Sequence, residues 1–271
     1  MIARRNLATR LPDLPRWVEV RDLLLHDDCE LVAFEDWDEP AFYLMNLSSK
    51  TLWVVGTPPR EALQRAVAEP AITEIIATKT AAPLLAELLA DWVPDWVPDG
   101  VPGWVPGWVP DGVPDGVPDG VPGWVPGGIM VHELREDLRL PRNGDSSDVA
   151  FIGPESLAGH AIPDDLLEEL QMGAESSLIA ASFEHGAPVA FCYAGATTET
   201  LWDVSVDTLA GHRRHGHAGR CAAFMIRHMR KEGREPVWQS AEDNTPSWKL
   251  AAKLGFVAVD ELHTWRREGG P

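Results

Sequence analysis

Between Asp91 and Pro126 the chain carries a proline at every fourth position. The stretch reads DWVP DWVP DGVP GWVP GWVP DGVP DGVP DGVP GWVP, nine tetrapeptides in 36 residues. A helix is excluded here, because each proline lacks an amide donor and clashes with the turn before it. A central strand is excluded for the same missing donor. Val-Pro-Asp-Gly and Val-Pro-Gly-Trp put proline second and Asp or Gly third, the order of type I and type II turns. The expectation is a succession of turns and extended pieces, mobile in solution. Before the repeat, AAPLLAELLA (81–90) reads as a short apolar helix; after it, GGIMVHEL (127–134) reads as a strand. With eight units removed the join becomes LLADWVPGGIMVHEL, a short helix-to-strand connection. The repeat (91–126) therefore reads as one loop expanded by slippage, inserted in a fold that does not depend on it. The alternative is an aromatic arm of Trp92, Trp96, Trp104, Trp108 and Trp124 that makes weak contacts with a partner.

Charge narrows the class of partner. The 271 residues include 23 Lys and Arg against 42 Asp and Glu, a net charge of −19. A protein that tracks nucleic-acid phosphates needs the opposite balance, so no nucleic-acid partner is expected. Hydrophobic residues at 45% and charged residues at 24% are enough for packed cores. Cys29, Cys192 and Cys221 are odd in number and widely spaced, which supports neither a disulfide framework nor a cysteine zinc site. The opening MIARRNLATRLPDLPRW has no apolar stretch of signal-peptide length, and no run reaches the ~18 apolar residues of a membrane span. A cytoplasmic, reduced, soluble protein without a membrane partner is the expectation.

The remaining chain alternates strand and helix in two halves. In the first, 11–25 and 59–69 read as helices, and 29–35, 41–47, 51–57 and 72–78 as strands. The second begins after the polar RNGDSSD turn (142–148). It has a helix at 163–172 and a hairpin at 177–195 that turns at Glu184-His185-Gly186. Then comes an ordered unit: strand TLWDVSVDT (200–208), loop LAGHRRHGHAG, and helix RCAAFMIRHMRKEG. In the helix, Ala218, Cys221, Ala222, Met225 and Met229 recur at spacings of three, four or seven, a core-facing stripe. Its first amides are unpaired and aimed at the loop. Small residues at Gly216, Ala218 and Gly219 let an anion approach the backbone, and Arg213 and Arg214 add positive charge.

The loop Arg213-Arg214-His215-Gly216-His217-Ala218 resembles the R-x-x-G-x-A acetyl-CoA pyrophosphate loop of the GNAT superfamily of N-acetyltransferases. A second motif follows at the right distance. VWQSAEDNTPSWKLAAKLGF (237–256) is similar to that family's next strand, its Asn-x-x-Ser helix start and its terminal L-G-F. The resemblance covers about 145–271 and extends to a bacterial subgroup with an extra N-terminal domain. It implies an α/β (α+β) fold with a mixed, mostly antiparallel sheet flanked by helices. It implies acetyl-CoA as co-substrate, held by the loop residues His215 and His217 with their neighbours, and by Asn244 and Ser247 along the pantetheine. It also implies that main chain near Val206 and Thr208 receives the thioester carbonyl, where the strand splays from its neighbour. One position departs from the family: the tyrosine that commonly protonates the leaving thiolate is replaced by Ala251.

Transfer to an amine requires a neutral nucleophile. At neutral pH only about one lysine-type amine in ~2,500 is unprotonated, so the site must attract an ammonium and remove its proton. Along 200–208, Trp202, Val204, Val206 and Thr208 share one face, and Leu201, Asp203, Ser205 and Asp207 the other. A carboxylate inside such a sheet must be paired, hydrated in a cleft or protonated. Asp203 and Asp207 are therefore the candidates for ammonium binding or base work. With Ala251 in the acid's place, Tyr193, a water or another group protonates the thiolate, or the domain binds acyl-CoA without turnover. The spacing of His212, His215 and His217 is not read as a metal site, because two arginines separate them and no carboxylate is near in sequence.

The expected organisation is an N-terminal α/β domain, 1–140, carrying the repeat, and a GNAT-like domain, 145–271. The first, whose strand–helix alternation reads as a degenerate copy of the same fold, has no pyrophosphate loop of its own. The expected activity is acetyl transfer to an unidentified amine by direct attack in a ternary complex. The alternative is a non-catalytic acyl-CoA-binding or sensor protein.

Overall fold

The computed structural model describes residues 4–25, 29–34, 40–90, 123–135, 148–157 and 159–267. Trp92, Trp96, Trp104 and Trp108 of the repeat, and residues 142–147 of the polar turn, lie outside these. Internal contacts divide the chain into two compact units. Unit 1 comprises Met1–Pro12, Leu23–Ile129 and Glu261–Pro271; unit 2 comprises Asp13–Asp22 and Met130–Asp260. No helix among the described residues is long and apolar enough to cross a membrane.

Unit 1 contains α1 (Arg4–Arg10), the end of α2 (Val18–Leu25), β1 (Glu30–Phe34), β2 (Ala41–Asn46), β3 (Thr51–Val55), α3 (Arg60–Val67), β4 (Glu74–Ala77) and α4 (Ala82–Ala90). It also takes the start of β5 (Trp124–Leu134) and the end of β11 (Phe256–Arg267). The strands run in the order β1-β2-β3-β4-β11-β5, with β3 and β4 parallel and the β1–β2, β2–β3 and β4–β11 pairs antiparallel. In α3, Pro59 sits at the helix start, and Ala62, Leu63, Ala66 and Val67 are buried at helical spacing. They join Leu52, Val54, Ile72, Ile75, Leu85 and Leu89 in one core.

Two expectations are corrected here. The chain before Val18 is a short 3-10 turn, Pro15–Trp17, and α1 precedes it, so 11–25 is not one helix. The strand after the repeat begins at Trp124, not at 127. Trp124 is fully buried in this core, with the Arg267 guanidinium 4.9 Å from its ring centre. It is therefore no part of an exposed aromatic arm. Pro126 removes one ladder donor, a loss of about 0.5–1.5 kcal/mol. Burial of an aromatic side chain contributes about 1.5–3 kcal/mol, so the strand extends through the last repeat unit.

Unit 2 contains β6 (Val149–Ile152), α5 (Asp164–Ser176), β7 (Ile179–Glu184), β8 (Ala187–Thr197), β9 (Leu201–Thr208), α6 (His217–Lys231), β10 (Glu235–Ala241) and α7 (Thr245–Leu254). With its share of β5 and β11, the strand order is β11-β5-β10-β9-β8-β7-β6. The ladders from β6 to β9 are antiparallel, and β10 runs parallel to β9. The β7–β8 turn has His185 at φ 51° and Gly186 at φ 83°, the two positive angles of a tight hairpin turn.

Alternation along β8 separates two cores. Ala190, Cys192 and Ala194 pack with Trp202, Val204, Cys221, Met225 and Ala251 on the α6 and α7 face. Phe191 and Tyr193 pack with Leu170 of α5 on the other. Cys192 is fully buried, and burial pushes its thiol well up, as befits a core residue. At Gly173 of α5, an added Cβ would lie 2.5 Å from Cδ2 of Tyr193. Gly173→Ala is therefore expected to cost about 1–3 kcal/mol by overpacking, read as a lower urea midpoint at unchanged slope.

Segment 13–22 belongs to unit 2 through the β8–β9 turn, although it lies far away in sequence. Asp13 accepts from the Thr198 hydroxyl (2.8 Å) and from the Thr200 hydroxyl and amide (2.7 and 3.2 Å). Asp22 accepts from the Thr197 amide at 2.9 Å, and Arg21 pairs with Glu199 at 2.6 Å. The Arg21 bond holds the Glu199 carboxyl below its usual range. No periodicity in the sequence announces this latch.

Candidate active site

The loop before α6 has the geometry of an anion cradle. Gly216 is the N-cap of α6 at φ 83°, with no side-chain cap. A side chain there would carry the left-handed strain that glycine avoids. The leading amides of this 15-residue helix therefore face the loop without a capping side chain at Gly216. Arg214 also has positive φ, 67°. Arg213 folds back on the strand, its Nε donating to the Thr208 carbonyl at 3.2 Å. Arg220, one turn into α6, donates to the His215 carbonyl at 3.2 Å and pairs with Asp148 at 3.0 Å. An arginine outside the recognised motif thus braces the loop. Ala218 and Gly219 follow within the first turn, and the nearest contact of a Cβ on Gly219 would be Leu250 Cδ1 at 3.5 Å.

Beside the loop, the sheet opens. The β9–β10 ladder pairs only Glu235 with Leu201, Pro236 with Trp202 and Val237 with Asp203. Past Asp203, β9 keeps its ladder to β8 alone, with Val206 opposite Cys192 and Thr208 opposite Ala190. The strand that ends at the loop therefore leaves its parallel partner half-way along.

Asp203 stands where that ladder stops. It is buried, 8% exposed, and its Oδ1 has no hydrogen-bond partner among the described residues. Burial raises its carboxyl from 3.8 to about 7, against the amides of Gln239 and Val204, which favour the ion. The same face carries Asp207, whose carboxylate accepts from the Tyr193 hydroxyl at 3.3 Å. That hydroxyl also contacts Glu169 of α5 at 3.1 Å. Burial and the Glu169 charge raise the Asp207 carboxyl. Burial, Asp207 and Glu169 together raise the Tyr193 phenol, which stays protonated. Gly195 keeps the face open near Asp203: a Cβ there would fall 2.7 Å from Ser205 Oγ and 3.3 Å from Asp203 Oδ2. Glu169 was not found by sequence reasoning, since only the docking of α5 brings it to β9. Asp203 and Asp207 lie four residues apart, about 13 Å along the strand, so the two sit at different depths of one acidic face.

On α7, the Asn244 side chain accepts from the Ser247 amide at 3.2 Å, and the Ser247 hydroxyl accepts from Trp238 Nε1 at 2.9 Å. The first bond caps the helix, a role the Asn-x-x-Ser spacing also serves, and the second ties the helix start to β10. Ala251 is fully buried on the α6 and α7 face. Tyr193 lies on the opposite face, so it does not occupy the place that Ala251 leaves.

The histidines are not isolated from carboxylates. Glu184, at the end of β7, accepts from His212 Nδ1 at 2.5 Å and lies 3.8 Å from His217 Nε2. His215 reaches the same group: ligand atoms of Glu184, His215 and His217 all lie within 4.8 Å of one another. The carboxylate that sequence proximity did not supply comes from the β7–β8 hairpin.

Comparison with known proteins agrees with this architecture. Residues 178–265 match the family model described as GNAT acetyltransferase. No curated protein sequence matches the chain. Among solved structures, a GCN5-related N-acetyltransferase-like protein from Streptococcus suis is similar over 98% of each chain, at 16% identity and a TM-score of 0.60. A GNAT-family acetyltransferase from Colwellia psychrerythraea covers 98% of this chain and 94% of its own, at 11% identity and a TM-score of 0.56. A GCN5-related N-acetyltransferase from Kribbella flavida covers 99% and 96%, at 16% and 0.54. Residues 178–265 thus match the GNAT acetyltransferase model, and the chain shares with these solved structures the fold of a mixed, mostly antiparallel sheet flanked by helices.

Proposed function

We propose that this protein transfers an acetyl group from acetyl-CoA to an amine, by direct attack in a ternary complex. The observation that carries the reading is the end of the β9–β10 ladder at Asp203, next to a loop whose glycine cap leaves helix amides facing an anion. The diphosphate of acetyl-CoA is bound by the backbone of Arg213, Arg214, His215, Gly216, His217, Ala218 and Gly219, where the helix dipole and amide donors favour negative charge. The pantetheine runs into the opening past Asn244 and Ser247. Main chain near Val206 and Thr208 receives the thioester carbonyl and stabilises the oxyanion as it forms.

The acidic face serves the acceptor. Asp207 and Glu169 attract the incoming ammonium. The amine passes on to the end of the β9–β10 ladder, about 13 Å along the strand, where Asp203, poised near neutrality, takes its proton. The amine nitrogen then bonds to the carbonyl carbon, the carbon–sulfur bond breaks, and the sulfur leaves with the bonding pair. The attacking nitrogen gives up its second proton, which a water relays to the thiolate, since Ala251 has no proton to give.

A thiol-release assay with acetyl-CoA and a panel of amines tests this. Turnover above the amine-free rate, with acetylated amine as product, is the expected result. The buried Ala251 favours a second reading, a non-catalytic acyl-CoA sensor. CoA binding without turnover on any amine would decide for the sensor.

A further inference from the structure

We propose a divalent transition-metal site, of the kind that takes Zn²⁺, built from Glu184, His215 and His217. The three ligand atoms lie within 4.8 Å of one another. Ligands on a tetrahedral zinc at ~2.0–2.1 Å are about 3.4 Å apart, so small rotations of Glu184 and the exposed His215 close the set. His217 is 6% exposed, so its ring is held in place by the packing around it. Its Nε2 faces Glu184, while Nδ1 lies 2.9 Å from the Ser182 hydroxyl and 2.8 Å from Arg220. Ligation through Nε2 moves the ring proton to Nδ1, where Ser182 Oγ accepts it and Arg220 yields. Of the nearby arginines, Arg213 donates to the Thr208 carbonyl and Arg220 pairs with Asp148.

His212 supplies the outer support. Its Nδ1–H holds the Glu184 carboxylate, as ligating carboxylates are held in metal sites. Two imidazoles and one carboxylate leave a fourth tetrahedral position for water or another anion. A bound ion would tie His215 and His217, either side of Gly216, to the end of β7. On the reading of that loop as the diphosphate cradle, occupancy preorganises it and acetyl-CoA binds more tightly; binding of the metal itself does not depend on that reading.

The test uses the full-length protein stripped of metal and titrated with Co²⁺. One equivalent with the visible absorption of a tetrahedral ion, displaced by Zn²⁺, is expected. His215→Ala, at an exposed position, and Glu184→Gln should abolish it. His212→Ala should weaken it by ~10–100-fold while keeping the stoichiometry. No absorption, or absorption at wild-type affinity in His215→Ala and Glu184→Gln, overturns the site. CoA titration of the metal-free and loaded protein then reads the coupling, with equal affinities overturning the loop-fastening role. Co²⁺ binding in a protein that never binds CoA would leave the metal site standing and remove the acetyltransferase reading.

Discussion

Replacing Gly216 with glutamate is expected to weaken acetyl-CoA binding at least ~100-fold. Two effects combine. The residue sits at φ 83°, where a side chain costs about 1–2 kcal/mol. The new carboxylate then competes for the same helix amides and repels the diphosphate. Hydrogen bonds to a charged group contribute about 1.5–3 kcal/mol each, so the loss of two alone exceeds two orders of magnitude in affinity. Gly216→Ala separates the causes. It adds the strain, and its Cβ approaches Arg220 Nη1 at 3.3 Å, but it brings no charge, so a loss below ~10-fold is expected. Isothermal titration with CoA checks both, with near-ultraviolet circular dichroism to show that each variant is folded. Wild-type affinity in Gly216→Glu would mean that the diphosphate is held elsewhere.

Asp203→Asn is expected to make the protein slower and, above neutrality, more stable. Loss of a general base lowers kcat by ~10²–10⁴-fold. In the wild type, kcat/KM should rise with pH as the Asp203 carboxyl ionises near 7, and the variant should lack that limb. The stability sign follows from the same group. Its folded carboxyl is raised from 3.8 to about 7, so the native state holds the proton more tightly than the unfolded chain. The resulting stabilisation is full below about 4, declines as pH rises, and is gone above about 7. Asparagine carries no such charge at any pH. The variant's advantage in chemical denaturation should therefore grow across that window, to a few kcal/mol at most. An unchanged pH–rate profile in Asp203→Asn would shift the base to another group. Identical stability of the two proteins at pH 8 would mean that Asp203 is not desolvated.

The repeat also bears on stability. Because Trp124 is the buried end of the array and the other tryptophans lie earlier in it, deletion within 95–122 that keeps Trp124 is expected to preserve the unit 1 core. Thermal melting of that deletion checks this, and a drop beyond ~5 °C would mean that the repeat supports the fold.

What the sequence determined by itself is local. Short apolar runs set β2, β3 and β8 as strands buried on both faces, and alternation set β9, because a strand places every second side chain on one face. The glycine, small residues and arginines of 213–219 set the loop, because they decide where a backbone can meet an anion. Pro59, Pro246, Gly233 and Gly255 marked helix ends through their backbone constraints. The tertiary structure alone decided what distant segments contribute. Trp124 looked like the rest of its repeat until a core closed around it. Glu169 became part of the acidic face only when Gly173 let α5 lie against Tyr193. Glu184 met His212, His215 and His217 because the β7–β8 hairpin ends beside the start of α6. Local patterns report what a residue prefers for itself, whereas the charge and hydrogen bonding of a site come from groups that meet only when the chain has packed.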